Sequence, residues 1–243
     1  MSRMAVSFAM GARQIRRTPV LLGLLVFLPA YLVGVFTYVA PDSTVAFELV
    51  GGETVRVSLA EVFPAFTTPM VASLLAGISG LFLIRSTADA DARLVIAGHR
   101  PFEVILARLA LLTGISTIAT LAAVGVMRVA FAPERLGWFA AAVLLTALIY
   151  GTFGVTVGTL LVKLPGVYLV LFGSMIDLFL FQNPLATETP NAATLAPGYY
   201  PLRLAMDAGF SQQVDLEPLV WSLGVLTVFG ALAVASFSRS VRV

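Results

Sequence analysis

The stretch FTTPMVASLLAGISGLFLI, residues Phe66–Ile84, contains no charged side chain. A helix that rises 1.5 Å per residue needs about 20 such residues to cross the hydrocarbon layer of a bilayer. Within that layer, only a helix or a closed barrel can satisfy its own backbone hydrogen bonds. Similar runs recur along the chain, at Pro19–Val39, Ile105–Val126, Gly137–Val162, Pro165–Phe181 and Leu219–Phe237. The sequence therefore predicts an all-α membrane protein with six transmembrane helices.

The overall composition favours the same class. Hydrophobic residues make up 59% of the chain and charged residues 12%, against about 45–50% and 25% in an average soluble domain. The longest polar gap, 182–218, is too short for a separate ATPase or kinase domain, which needs at least ~100 residues. We therefore expect residues 1–243 to form a single transmembrane domain. The chain has no cysteine, so it offers no thiolate nucleophile and no cysteine-based metal site.

The sign of the charges alternates from one gap to the next. Cations dominate the start of the chain, the gap 85–104 and the tail, whereas acids dominate 40–65 and 182–218. Cytoplasmic loops of membrane proteins carry the excess of Lys and Arg. We expect both termini and 85–104 to be cytoplasmic, the two acidic gaps to be extracellular, and the membrane to be the plasma membrane.

Residues 4–17 form a separate element that precedes the first run. Apolar side chains recur at helical spacing from Met4 to Ile15, and the basic side chains of Arg13, Arg16 and Arg17 lie along the opposite edge. This pattern predicts a short amphipathic helix that lies in the membrane interface. The alternative is a frayed basic start that only fixes the orientation of the first span.

The acidic gap 182–218 contains a second short element. Leu202, Ala205 and Met206 lie at helical spacing after Pro201, which predicts an interfacial or re-entrant helix. Tyr199 and Tyr200 suit the boundary between membrane and water, where they could form an aromatic belt or contact a substrate.

Asp177 is the sole acid deep within a predicted span. An ionisable group at such a depth costs roughly 2.5–3.5 kcal/mol, so its side chain should face protein or water. The favoured interpretation is a structural hydrogen bond to a hydroxyl on a neighbouring helix, with Asn tolerated in its place. The alternative is a place on a substrate pathway or in a proton relay.

The basic gap after the second run combines a helix signal with a break. Asp89 and Asp91 suit the first turn of a short helix, Gly98 can end that helix, and Pro101 can begin the next one. The sequence predicts two short cytoplasmic helices joined by a rigid break. His99 is the only histidine and has no visible partners for a metal site or a proton relay. It is expected to contact a partner protein.

Motifs of enzymes are absent from the sequence. It contains no Gly-x-x-x-x-Gly-Lys-Ser/Thr phosphate loop and no His-Glu-x-x-His pair. We therefore expect no catalytic residue, no metal and no cofactor bound by this chain, and no nucleic-acid partner.

This layout resembles the permease subunit of a type-2 ATP-binding-cassette exporter. The similar features are an amphipathic elbow helix at 4–17, six spans, a coupling helix between the second and third spans, and an external insert between the fifth and sixth. The most specific piece is Ala88–Leu112, ADADARLVIAGHRPFEVILARLALL. In it a charged helix and a proline-containing break precede a span that opens with Arg108. The acids of this helix are Asp, whereas those of the family are usually Glu.

The resemblance implies a half-transporter. Two permease chains, identical or different, would pair in the lipid membrane above separately encoded ATPase subunits that hold ATP and Mg²⁺, and would export a hydrophobic or amphipathic substrate. The residues implied in ATPase coupling are Asp89, Asp91, Arg93, Leu94, Gly98, His99, Arg100 and Pro101. Those on a possible substrate pathway are Asp177, Tyr199 and Tyr200. Two other interpretations stay open, namely a different class of multi-pass transporter and a membrane assembly or scaffold protein.

Overall fold

Helices dominate the computed structural model, which describes residues 19–41, 43–49, 52, 54–98, 100–184 and 191–240. The predicted elbow helix at 4–17 and His99 lie outside the described residues. The α-helices are α1 (Pro19–Val39), α2 (Leu59–Ile96), α3 (Pro101–Met127), α4 (Leu136–Leu160), α5 (Lys163–Met175), α6 (Tyr199–Phe210) and α7 (Glu217–Ser240). The other elements are strands β1 (Thr44–Glu48) and β2 (Thr54–Ser58), a π-helical turn (Ile176–Phe181) that continues α5, and a 3₁₀ turn (Asn191–Leu195).

Among the residues that the structure describes, five helical segments are long and apolar enough to cross a membrane. They are α2, α3, α4, α5 with its π-helical turn, and α7. Each of them covers one of the apolar runs found in the sequence, so the all-α membrane class is confirmed. Helix α1 covers the remaining run and contains Pro29. The layout with six spans stays a prediction.

Helix α2 corrects the expectation of a separate coupling helix. It continues without interruption from Leu59 to Ile96, and α3 continues from Pro101 to Met127, so the prediction of two separate short helices is wrong for both. No glycine or proline lies between residues 81 and 97. Alanines at 88, 90 and 92 favour the helical backbone, and the Thr87 hydroxyl donates to the carbonyl of Leu83 at 2.8 Å. The local sequence therefore favours continuation of the helix beyond the end of the apolar run.

Helices α2 and α4 cross in backbone contact at the centre of the bundle. A Cβ atom added to Gly154 would lie 2.0 Å from the carbonyl oxygen of Gly77, and one added to Gly80 would lie 2.2 Å from that of Gly151. Only glycine permits this approach, as in small-xxx-small contacts of other membrane helices. Gly77 on α2 faces Gly154 on α4, and Leu81, one turn further along α2, faces Gly158, one turn further along α4. The two helices therefore run in the same direction. Gly154 and Gly158, four residues apart on α4, thus form one side of this crossing.

The other helices surround this central pair. Helices α1, α3, α5 and α6 pack on α2, and α3, α5, α6 and α7 pack on α4. The apolar window of α2 is 89% buried, whereas that of α7 is only 11% buried. Helix α2 is thus an internal element of the bundle, and α7 presents most of its surface outward.

The bundle has two ends, which differ in their loops. We call the end that carries Ile96, Pro101, Leu160 and Lys163 the junction end, and the opposite one the hairpin end. Strands β1 and β2 pair antiparallel at the hairpin end, with Thr44 opposite Ser58 and Glu48 opposite Thr54. Residues 40–65 were expected to form an extracellular loop, and the hairpin was not predicted. Its signal was the alternation of Val45 and Phe47, and of Val55 and Val57, with more polar neighbours.

Helix α6 confirms the short helix expected in the acidic gap, although it begins at Tyr199, before Pro201. Leu202, Leu204 and Ala205 are buried in the main core cluster. The carbonyls of Ala208 and Gly209 accept hydrogen bonds from the backbone N–H groups of Arg135 and Glu134, at 2.9 and 3.1 Å. These bonds fix the end of α6 to the start of α4.

The central crossing predicts opposite effects for two glycine substitutions. Gly154→Ala places a methyl group against the Gly77 backbone, so α2 and α4 must separate, at a cost of about 1–3 kcal/mol or more. Gly114→Ala in α3 is the matched control, because nothing lies within 4 Å of its added Cβ, and it should stabilise the helix by up to ~1 kcal/mol. Thermal unfolding of the purified variants in detergent measures both. Equal midpoints for Gly154→Ala and the unmodified protein would contradict the backbone contact.

Candidate functional site

The junction between α2 and α3 is a sharp break. The N–H of Ala97 bonds to the carbonyl of Arg93 at 2.9 Å, and that of Gly98 to Val95 at 3.0 Å. Gly98 has a φ of 89°, a left-handed conformation that favours glycine. Arg100 caps α3, and Pro101 is its first residue, where its missing N–H leaves no donor unpaired. The predicted roles of Gly98 and Pro101 in the break are confirmed.

A buried ion pair joins the two helices behind this break. The carboxylate of Asp91 on α2 accepts from Nη2 of Arg108 on α3 at 2.6 Å and from its Nε at 3.2 Å. The Thr87 hydroxyl lies 2.8 Å from the same carboxylate. Asp91 and Arg108 are 1% and 3% exposed. Paired, two-point contacts of this kind fix direction as well as distance, so α2 and α3 are locked at a defined angle.

Apolar side chains from the same parts of α2 and α3 connect the junction to the rest of the bundle. Leu83 and Ile84 of α2, Val104 and Ile105 of α3, and Val155 of α4 belong to one buried cluster. Ala233 and Phe237 of α7 complete it, with Leu94 and Val95 packed at its edge. A displacement of the junction therefore acts directly on four helices, since packed cores deform little.

The exposed tip of the junction differs from the expected set of docking residues. Asp89, Arg93 and Arg100 are exposed, as are Ile96 at 86% and Phe102 at 55%. Asp91, which was expected to anchor a partner, is turned into the bundle by Arg108, and Leu94 packs on the buried cluster. The surface that a partner could touch is thus an apolar tip with charged residues beside it.

Asp177 lies at the other end of the bundle, in a closed hydrogen-bond network. The hydroxyl of Tyr150 on α4 donates to Oδ2 of Asp177. The N–H of Gly198, just before α6, donates to the same oxygen at 2.8 Å. The side-chain amide of Gln182 donates to Oδ1 at 3.1 Å and to the carbonyl of Ala193 at 2.9 Å. The expected inward orientation and hydroxyl partner of Asp177 are therefore present.

Gly198 allows this network to close. A Cβ atom on Gly198 would lie 2.4 Å from Cδ2 of Leu178 and 3.0 Å from both Oδ2 of Asp177 and the hydroxyl oxygen of Tyr150. The network therefore ties the π-helical turn, the 3₁₀ turn and the start of α6 to α4.

Tyr199 and Tyr200 follow directly and are half-buried. The guanidinium of Arg203 lies 4.6 Å from the Tyr199 ring centroid, and Tyr200 stacks on Trp221 of α7 at 5.6 Å. Asp177 accepts a hydrogen bond from Gly198, the residue before Tyr199 and Tyr200, so the three residues assigned to a possible substrate pathway lie at the same end of the bundle, and each has protein partners.

The sequence did not predict the partner of Arg108 at the junction end or the partners of Asp177 at the hairpin end. Arg108 was noted as a cation that opens a span, but a buried cation also requires an acid, and Asp91 is the buried acid on the facing helix. Tyr150 and Gly198 carried no signal that linked them to Asp177, because they come from separate segments of the chain, and Gln182, five residues after Asp177, had no distinctive spacing. The described residues contain no group of three or more His, Cys, Asp or Glu that could hold a metal ion.

No protein-family model matches the chain, and no curated protein matches its sequence significantly.

The ion pair predicts a non-additive set of stabilities. Arg108→Met or Asp91→Leu alone leaves a buried charge without its partner and should cost about 3–5 kcal/mol of unfolding free energy. The double variant removes both charges and should be clearly more stable than either single variant. Arg93→Ala, which removes an exposed cation from the same helix, is the control and should change stability by no more than ~0.5 kcal/mol. Denaturant unfolding in detergent gives the four values. Additive losses in the double variant would show that the two side chains do not interact.

The Asp177 network predicts a graded response to substitution. Asp177→Asn keeps an oxygen for Tyr150 and Gly198 but places an amide opposite Gln182, so it should lose about 1 kcal/mol. Asp177→Leu leaves three buried donors without acceptors and should lose ~3 kcal/mol or more. Limited proteolysis between residues 183 and 198, together with thermal unfolding, measures both variants. An Asn variant that is as fragile as the Leu variant would show that the charge, and not the hydrogen bonding, is required.

Proposed function

We propose that this chain is the transmembrane permease subunit of an ATP-driven exporter of the ATP-binding-cassette type, working with a second permease chain and with separately encoded ATPase subunits. The observation that carries the proposal is the α2–α3 junction. It combines a long uninterrupted helix, a buried ion pair and an exposed tip. Such a junction suits the transfer of force from a partner outside the membrane.

The length of α2 is the first part of the argument. Its 38 residues extend about 57 Å at 1.5 Å per residue, whereas the hydrocarbon core is about 30 Å thick. A straight helix of this length extends beyond the core. Because Asp91 and Arg108 join its last turns to α3, a push on the tip moves two spans together.

The chemistry of the tip is the second part. Ile96 and Phe102 are exposed apolar side chains on either side of the break, with charges at 89, 93 and 100, and such a tip would suit a contact with a partner protein. In the proposed orientation this end is cytoplasmic, because Arg85, Arg93, Arg100, Lys163 and Arg239 lie there. The extracellular side would carry the hairpin and α6. This orientation follows from the charge rule.

The proposed substrate class follows from the surfaces that face away from the bundle. Helices α5 and α7 present mainly apolar side chains outward, including Phe172, Leu180, Val228 and Leu232. Surfaces of this kind suit a hydrophobic or amphipathic substrate that approaches from the bilayer.

A secondary transporter is a second candidate, favoured by one observation. A π-helical turn at 176–181, which contains Asp177, continues α5, and such turns are frequent at functional sites. Against it, the Asp177 carboxyl already accepts from three donors, so it is not free to bind a coupling ion.

Affinity purification of the tagged chain from its native membranes tests the proposal. An ATPase subunit should co-purify in stoichiometric amount. Ile96→Asp should reduce its yield at least tenfold, because a charge placed in a docked apolar contact costs several kcal/mol. Leu195→Asp is the matched control, since Leu195 is equally exposed, at 88%, but lies near α6 at the hairpin end.

A charge variant adds a second readout. Asp89→Lys should also weaken the association, whereas reversal at Asp91 would break the buried ion pair and is unsuitable for this purpose. Recovery of the unmodified chain without any ATPase, under conditions that preserve membrane complexes, would contradict the exporter assignment. It would favour the secondary transporter or a membrane assembly role.

A further inference from the structure

Helix α6 has one outward face, and this face is continuous with that of α7. Within α6, the residues that are not buried are Tyr199, Tyr200, Arg203 and Phe210. Arg203 follows the two tyrosines by four and three residues, so it lies one turn along on their side of the helix. The ring of Tyr200 stacks on the ring of Trp221 in α7, with centroids 5.6 Å apart. The outward faces of α6 and α7 therefore join at this stack.

The directions of the two helices set the depth of each part of this surface. Helix α6 begins beside the Asp177 network and ends at the start of α4, where its last carbonyls accept hydrogen bonds from the backbone that leads into α4. Arg203 therefore lies one turn nearer to the hairpin end than Tyr199. Helix α7 runs the opposite way, from Glu217 at the hairpin end to the buried cluster at the junction end. The surface thus has its charged groups outermost and its apolar part deeper in the bilayer.

An apolar stripe follows Trp221 along α7 towards the junction end. Gly224, Val228 and Leu232 recur at helical spacing on the same face, and all three are exposed. Trp221 itself is 52% exposed although Tyr200 covers one side of its ring. A Cβ atom added to Gly224 would meet nothing within 4 Å. The space directly below the Trp221 ring is therefore open to an acyl chain.

Two opposite charges lie at the outer part of this surface without pairing with each other. Arg203 is exposed, its guanidinium lies 4.6 Å from the centroid of the Tyr199 ring, and no carboxylate in the described part of the chain forms an ion pair with it. Glu217 is also exposed and lies one turn outward from Trp221, whose Nε1 donates to its Oε1 at 3.4 Å. A ligand that carries both a negative and a positive group complements these two side chains.

We propose that this face of α6 and α7 binds a phospholipid with a zwitterionic amine headgroup, such as phosphatidylethanolamine. The phosphate contacts Arg203, because a guanidinium matches phosphate oxygens with paired donors. The ammonium lies at Glu217 beside the Trp221 ring, since carboxylates and aromatic faces both attract cations. One acyl chain follows the stripe on α7. The site is independent of the proposed exporter function.

Native mass spectrometry of the purified full chain in detergent tests the site. Phosphatidylethanolamine should bind more tightly than phosphatidylglycerol of the same acyl composition, which lacks the ammonium, and than diacylglycerol, which lacks the phosphate. Arg203→Gln should weaken phosphatidylethanolamine binding about tenfold, the effect of one charge-assisted hydrogen bond. Glu217→Gln should weaken it about threefold, the effect of one exposed contact with a cation, and should not weaken phosphatidylglycerol binding. Both residues are exposed, so the variants should fold.

Arg56→Gln is the matched control, because it removes an exposed cation from β2 at the same end of the bundle and should leave lipid affinity unchanged. Glycerophosphoethanolamine, which is the headgroup without acyl chains, should not displace the lipid at a tenfold excess. The proposal is overturned if Arg203→Gln retains phosphatidylethanolamine at the affinity of the unmodified chain, or if phosphatidylglycerol binds as tightly. Displacement by the headgroup alone would equally overturn it, since the stripe on α7 would then play no part.

Discussion

The contact between the backbones of α2 and α4 determines how the rest of the molecule can be arranged. Within a bilayer, helices gain little by hiding apolar side chains from lipid, so close packing and hydrogen bonds must hold them together. Gly77 and Gly80 on one helix, and Gly151 and Gly154 on the other, remove the side chains that would separate the two axes. Every other span packs against one or both members of this pair, which makes it the frame of the bundle.

Two polar clusters fix segments that pack around the α2–α4 contact, one at each end of the bundle. At the junction end, Asp91 and Arg108 bind α3 to α2. At the hairpin end, Asp177 collects donors from α4, from Gln182 and from the residue before α6. In an apolar surrounding, the alternative to each contact is an unpaired polar group, so each cluster strongly favours a single arrangement. The molecule thus combines a non-polar centre held by shape with two ends held by polar contacts.

The sequence predicted what depends on local pattern. The apolar runs located the spans to within a few residues, except that Phe66–Ile84 is only the middle of the much longer α2. Gly98 and Pro101 placed the break correctly, because the special backbone geometry of these residues acts within one or two peptide units. The helix after Tyr199 was also found from spacing. The hairpin at 44–58 carried an alternation that was visible but was overlooked among stronger helical signals.

What the sequence could not predict depends on pairing across distance. Gly80 and Gly151 are ordinary small residues until the two helices are placed side by side. Asp91 carries the same chemistry as Asp89, yet one is buried and the other exposed, because only Asp91 faces α3. Tyr150 and Gly198 acquire a role only through the position of Asp177. These relations are set by the packing of helices, which a single sequence pattern does not encode.

The Asp91–Arg108 pair also has a consequence for how the chain enters the membrane during synthesis. Arg108 lies two turns inside α3, and by itself it would resist transfer from the insertion machinery into lipid. Asp91 is synthesised first and sits on the preceding helix, only a short break away. Once the two side chains meet, their combined charge is zero, and the helical pair can leave the aqueous channel as one unit. The order of residues along the chain therefore makes the neutralising acid available before Arg108 has to enter lipid.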